Sequence, residues 1–216
     1  MGALSLLLAD ARLPAAGHTQ SGGLEPGLAD GLAPAELRTY CRTRLATVTR
    51  TEAAAAVVAR HHAPGGGSLD LVETAWAART PSDAMRATSR VLGRGLLRLA
   101  RRTWPGAVAR WSPDARPPRP VVLGAIAAET GLSALELARV VAYDDVQTVL
   151  AAAQKLLPLD PADTVGWCVE LLPDMERFAA DLADVTEADD IPATGSPQIE
   201  GWAQAHARTT RRLFSA

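Results

Sequence analysis

The chain is poor in aromatic residues and almost devoid of lysine. Phe, Trp and Tyr make up 4% of the 216 residues, although 48% are hydrophobic. A core with so few large rings must be filled by Ala, Leu and Val, which favours closely packed helices. Lys155 is the only lysine, so nearly all positive charge is arginine. With the heavy use of Ala, Gly and Pro, this points to a GC-rich genome more than to a function. The two cysteines, Cys41 and Cys168, form no CxxC pair and are expected to be buried free thiols. The longest apolar runs, Ala53–Ala59 and Val121–Ala128, are far shorter than the ~20 residues that span a bilayer. Asp10 and Arg12 interrupt the opening MGALSLLLADARLP too early for a signal segment, so a cytoplasmic protein is expected. The net charge of −2 gives no general pull toward nucleic acid or a membrane.

What the chain does contain is helix punctuation. Pro34 and Glu36 open a helix that the spacing extends to about His61, ended by Pro64–Gly67. Ser68 can cap the next helix, and Thr80-Pro81-Ser82-Asp83 reads as a further start with Thr80 as the cap. The Pro-rich piece Ser112–Pro120 is a linker or rigid turn, followed by a buried helix from Val121 to Glu129 that ends at Gly131. Ser133 and Glu136 form a capping box for a helix through Leu157, and Asp160-Pro161 starts another. Ser196-Pro197 begins a last helix expected to run to Arg211-Arg212-Leu213-Phe214. The acidic stretch Asp181–Asp190 is read as a solvated helix end and loop. No alternating strand or 20–50-residue repeat is found. The reading is one all-α, bundle-like domain over residues 1–216, with roughly eight to ten helices.

Against that background the loop Leu13–Gly27 (LPAAGHTQSGGLEPG) stands out, and it fails each catalytic template. Gly17 and Gly22 have P-loop spacing, but Gly23 and Leu24 replace the Lys and hydroxyl that meet phosphate and Mg²⁺. Thr19–Gly23 has only the second glycine of a nucleophile elbow and no preceding strand, so Ser21 reads as a cap for a short helix near Leu24–Asp30. Of the histidines His18, His61, His62 and His206, none has a Cys or carboxylate at ligand spacing. The adjacent His61 and His62 fit the negative end of a helix instead. Asp144-Asp145 has no partnering acid or His at useful spacing and supports no catalytic role.

Arg86, Arg90, Arg94, Arg98 and Arg102 recur every fourth residue, with Arg101 beside the last and no acid between. A four-residue step drifts about 40° on a helix, so the stripe winds through about 160°. It reads as a solvated or internally paired face, or as a docking face for an acidic protein surface. An all-α regulator reading DNA through Arg86–Arg102 is the alternative, although no aromatic or amide set interleaves with the arginines. A small helical enzyme using His18 and Ser21 is a third possibility. Gly93 and Gly95 in the same helix would allow another helix to approach closely.

Several stretches together resemble the UreF family of urease accessory proteins. They are the apolar Leu4–Leu8, the Leu13-Pro14 turn, the polar Gly17–Ser21 loop and Gly23-Leu24-Glu25. LGRGLLRLA (Leu92–Ala100), RPVVLGAIAAETGL (Arg119–Leu132) and the closing RRLFSA (Arg211–Ala216) continue the likeness in the same order along essentially the whole chain. The chain departs from the family pattern at His18 and Gln20, at Arg119 where a His is usual, and at Asp160-Pro161 where Gly-Gln is usual. The resemblance implies an all-helical, homodimeric chaperone without enzymatic activity. Such a protein bridges a UreD/UreH-type scaffold and a UreG-type GTPase and delivers nickel to apo-urease. It binds no cofactor directly; nickel and GTP are handled by the assembled complex. Carried onto this chain, the partner-binding candidates are His18, Ser21, Gly23, Leu24, Glu25, Arg86, Arg90, Arg94, Arg98, His206, Arg211, Arg212, Leu213 and Phe214. Arg212-Leu213-Phe214 is expected to be exposed in the free protein, and Arg211 or Arg212 to pack near His18–Ser21 in the complex. The helices from Val121 to Leu157 are the expected dimer contact, and nickel is expected to pass along an internal channel.

Overall fold

A computed structural model describes the chain except Met1, Ala11, Ala16, the His18 side chain, Arg211, Ser215 and Ala216. Three short pieces come first: α1 (Ala3–Leu8), a 3-10 turn at Gly17–Thr19, and α2 (Leu24–Ala29). A second 3-10 turn, Pro34–Glu36, leads to α3 (Leu37–Ala46) and α4 (Val48–His62). Then follow α5 (Leu69–Ala78), α6 (Asp83–Thr103), α7 (Pro105–Val108), α8 (Arg119–Glu129) and α9 (Ala134–Leu156). The series ends with α10 (Pro161–Leu182), a 3-10 turn at Ala188–Asp190, and α11 (Pro197–Ala207). No strand occurs among the described residues. The fold is all-α and single-domain, in line with the expectation of about eight to ten helices; the described residues form eleven α-helices, of which α1, α2 and α7 have six residues or fewer.

The local signals place most boundaries. Ser68, Ser133 and Asp160 accept from the first-turn amides of Leu71, Glu136 and Ala162. Gly131, at φ +70°, turns the chain out of α8. Two expectations are corrected. The cap of α6 is Ser82, which accepts from Met85 N–H at 3.3 Å, whereas Thr80 donates back to Trp76 O. The helix expected from Pro34 to His61 breaks at Thr47 (φ −122°, ψ −104°). Thr47 Oγ1 donates to Thr43 O at 2.6 Å, and its own carbonyl accepts from Thr194 Oγ1 at 3.0 Å. That carbonyl is shared between the Arg50 N–H of α4, also at 3.0 Å, and the distant Thr194 hydroxyl.

The core is built on α4, α8 and α9. Ala53–Ala59 and Pro120–Ala127 are buried without interruption, so α4 and α8 are wrapped on all sides. Small side chains let them approach closely. A Cβ on Gly124 would collide with Ala56 O and lie 2.6 Å from Ala59 Cβ. Gly93 of α6 meets the Pro117–Arg119 backbone where α8 begins, and Gly95 meets the backbone of Ala15. The close approach at these glycines is therefore to a turn and a helix start. Along Pro120–Ala127, α8 is enclosed by its own chain. The exposed apolar row lies instead on α10, at Val165, Val169 and Leu172, beside Tyr143 of α9. Pro173 sits inside α10 without ending it, which the sequence reading did not anticipate. No helix among the described residues is long and apolar enough to cross a membrane.

Candidate functional site

The opening loop is latched to α3. Gly22 and Gly23 adopt φ +59° and +80°, conformations that side chains disfavour. The Gly22 carbonyl accepts from Tyr40 Oη at 2.8 Å and from Arg44 at 2.6 Å. Ser21 is buried; it is not the cap expected of it, since Gly23 holds that position of α2, but its Oγ accepts from Glu25 N–H in the first turn at 3.4 Å. Leu24 is fully buried. The loop is thus a rigid support that presents Glu25 in the first turn of α2.

Glu25 receives the C-terminal tail. Its carboxylate accepts Leu213 N–H at 2.7 Å and Phe214 N–H at 2.9 Å. His206, buried at the end of α11, places Nε2 3.5 Å from Glu25 Oε2. Arg212 donates to His206 O at 3.2 Å. The last helix stops at Ala207 rather than reaching Phe214, and the tail folds back as a strap. The expectation of an exposed Arg-Leu-Phe is only half met: Leu213 is 63% exposed, but Phe214 is 4% exposed, with Lys155 Nζ 5.3 Å from its ring centre. Glu25 also supplies the carboxylate that no sequence spacing offered to His206. Arg211 and the His18 side chain lie outside the described residues.

Beside Phe214 lies a half-open cavity of about 330 Å³ with mostly apolar walls. Its wall includes the loop residues Gln20–Gly23, Leu8, Phe214 and a set of charged side chains from α3, α4, α8 and α9. Arg44 donates to Asp145 Oδ1 at 2.6 Å and Oδ2 at 3.0 Å. Burial works against its charge, but Asp145 and Tyr40 outweigh this and raise its pKa. Arg119 donates to Asp144 at 2.8 Å, and burial still raises the Asp144 pKa. Glu52 accepts from Trp76 Nε1 at 2.6 Å and Ser89 Oγ at 3.4 Å, and burial raises its pKa too. Thr49 Oγ1, one turn before Glu52, is buried without a hydrogen-bond partner among the described residues. Sequence reasoning missed this network. One signal was available: Glu52 is a single carboxylate immediately before a buried alanine run.

The described residues contain no cluster of three or more His, Cys, Asp or Glu arranged to hold a metal ion. Both thiols are buried; burial pushes Cys41 up to about 12 and raises Cys168 as well, so neither is a ready nucleophile. His62 bonds to Thr186 O at 3.1 Å, and it is Arg110 that donates to the α4 end at Ala63 O.

The arginine stripe divides in two. Arg86 pairs with Asp83, and Arg90 donates to Glu73 at 2.6 Å and to Arg116 O at 2.9 Å. Arg94 and Arg98 are exposed. The stripe is therefore not one continuous free surface.

A family profile described as UreF matches residues 32–172. The urease accessory protein UreF of Mycobacterium sp. (strain JLS) is 38% identical over 214 residues, covering 98% of this chain and 97% of that protein. That of Mycolicibacterium vanbaalenii is 38% identical over 216 residues, with the same shares of each chain. That of Mycobacterium tuberculosis (strain ATCC 25177 / H37Ra) is 36% identical over 220 residues, again covering 98% and 97%. The profile covers more than half of the chain, and relatives this similar align with nearly all of it, so the chain belongs to the UreF family of urease accessory proteins.

Proposed function

We propose that the chain is the adaptor of a cytoplasmic urease-maturation assembly. As a homodimer it bridges a UreD/UreH-type scaffold and a UreG-type GTPase, and the complex delivers nickel to apo-urease. Membership of the family makes it an accessory factor in urease maturation rather than an enzyme. The observation that carries the finer reading is the meeting of the terminal Arg212-Leu213-Phe214 segment with the Glu25 turn, at the edge of a half-open, mostly apolar cavity. The tail offers a partner an exposed Leu213 and a guanidinium fork.

A second copy fits the α10 row. Val165, Val169 and Leu172 lie at i, i+4 and i+7, and two-fold symmetry would bring the same row from each copy into register. The flanking pairs Arg38–Glu170 and Arg139–Glu176 would form a polar rim.

The test is co-expression with the scaffold and GTPase from the same genome, followed by gel filtration with light scattering. The expected result is a three-protein complex containing two copies of this chain. A chain ending at Thr210 should lose the GTPase, and Val169→Asp should yield a folded monomer. Absence of any complex, with nucleotide and nickel present, would overturn the adaptor reading.

A further inference from the structure

Six arginines lie between Arg86 and Arg102, and three of them hold local structure. Arg86 binds Asp83 and the carbonyls of Thr80 and Pro81. Arg90 binds Glu73 and Arg116 O. Arg101 donates to Ser112 O at 2.6 Å and to Pro113 O. Arg94, Arg98 and Arg102 do none of this; all three are exposed and have no hydrogen bond or ion pair among the described residues. Arg102 is in the last turn, where the helix dipole favours a cation. Arg94 and Arg98 have no such compensation. Like charges at i, i+4 weaken a helix, so the pair opposes folding slightly.

The placement explains what the pair is for. At about 100° per residue, Ala87, Val91, Arg94, Arg98 and Arg102 share an arc of about 80°, running ~22 Å along α6. Val91 is 59% exposed in that row, an aliphatic side chain left in water among the guanidinium groups. We propose that this outer face of α6 docks an acidic amphipathic helix of a partner in the urease-maturation assembly. Carboxylates at i, i+4 on that helix would fork onto Arg94 and Arg98, and an aliphatic residue between them would cover Val91. The inference rests on the adaptor reading and deepens it by giving the chain a contact surface separate from its tail. Val91 speaks for a protein partner over a nucleic acid, since a phosphate backbone has nothing to bury against it.

The experiment uses the full chain with Arg94→Glu/Arg98→Glu, co-expressed with the scaffold, the GTPase and apo-urease. The wild-type assembly should weaken as salt rises. The variant should lose one partner by about tenfold in affinity while keeping the others. Its melting temperature should stay close to that of wild type, because two carboxylates at i, i+4 repel as the guanidinium groups did while each gains an oppositely charged neighbour, Arg90 or Arg102, and Arg94→Lys/Arg98→Lys should retain the partner. The inference is overturned if the glutamate variant keeps every partner with unchanged salt dependence. It is also overturned if the variant melts lower and loses all partners together, which marks a structural role. Wild-type binding to duplex DNA that the variant abolishes would overturn it in favour of nucleic acid. A wild-type chain that captures none of the three proteins overturns the adaptor reading itself, and this inference with it.

Discussion

One carboxylate, Glu25, accepts both the Leu213 and the Phe214 main-chain N–H, and this pair of bonds turns Phe214 inward against the cavity. Hydrogen bonds to a charged acceptor are worth about 1.5–3 kcal/mol each, so the two together outweigh the burial of Phe214, the strap's main other anchor, at about 1.5–3 kcal/mol. Glu25→Ala should therefore free the tail in most molecules and leave the helical core intact. The expected signs are fast amide exchange at Leu213 and Phe214, and rapid trypsin cleavage after Arg208 and Arg212. Wild-type protection of both amides in the variant would show that Phe214 docks without Glu25.

The Glu52 carboxylate predicts a pH dependence. Burial among Trp76, Ser89 and the cavity wall raises its pKa above the ordinary 4.5, more than the Arg119 charge and two hydrogen bonds lower it. Above pH 4.5 the folded chain thus holds more protons at this site than the unfolded chain. The site's contribution is complete below that pH and falls as pH rises toward the folded value. Glu52→Gln keeps the shape and cannot ionise. Its stability relative to wild type should rise with pH across that window, measured by urea midpoints. A residual slope is expected from Asp144, whose pKa burial also raises. Parallel curves for the two proteins would rule out titration of Glu52.

The local chemistry of the fold was legible, and its long-range pairing was not. Ser133 with Glu136, Ser68, Asp160 and Gly131 act on neighbours within four residues, so the sequence displays them. At the Thr47 break the carbonyl has one local partner, Arg50 N–H, and one from far along the chain, Thr194, which no local window contains. Likewise Asp144-Asp145 looked idle because Arg119 and Arg44 reach it from other helices. The opening loop and the tail were recognised as a pair through family resemblance. What the sequence could not display was which tail residue turns inward, since that depends on the direction of the strap after Ala207.

Two glycines in helices should respond to alanine in opposite ways. At Gly124 the added carbon would strike the Ala56 carbonyl and sit 2.8 Å from Arg60 N, and backbone cannot rotate away. The α4–α8 pair must separate, at a cost of about 1–3 kcal/mol or more. At Gly166, within α10, nothing lies within 4 Å, so alanine should stabilise by about 0.5–1 kcal/mol. Denaturant midpoints of the two variants would settle this, and equal shifts in one direction would contradict the close α4–α8 contact.

The Arg44–Asp145 pair joins stability to the loop, and a double-mutant cycle should separate the two roles. Arg44→Met leaves a largely buried carboxylate without its partner and removes the 2.6 Å bond to Gly22 O. A loss of about 3–5 kcal/mol is expected. Arg44→Met/Asp145→Leu removes both desolvated charges and should recover much of that loss, because the pair's attraction mostly offsets its own burial cost. The recovered protein would still lack the guanidinium that holds the Gly22–Gly23 turn beneath Glu25. Its global stability should therefore approach wild type while its tail stays sensitive to trypsin. If stability and tail protection return together, Tyr40 Oη alone, at 2.8 Å from Gly22 O, is enough to hold the loop.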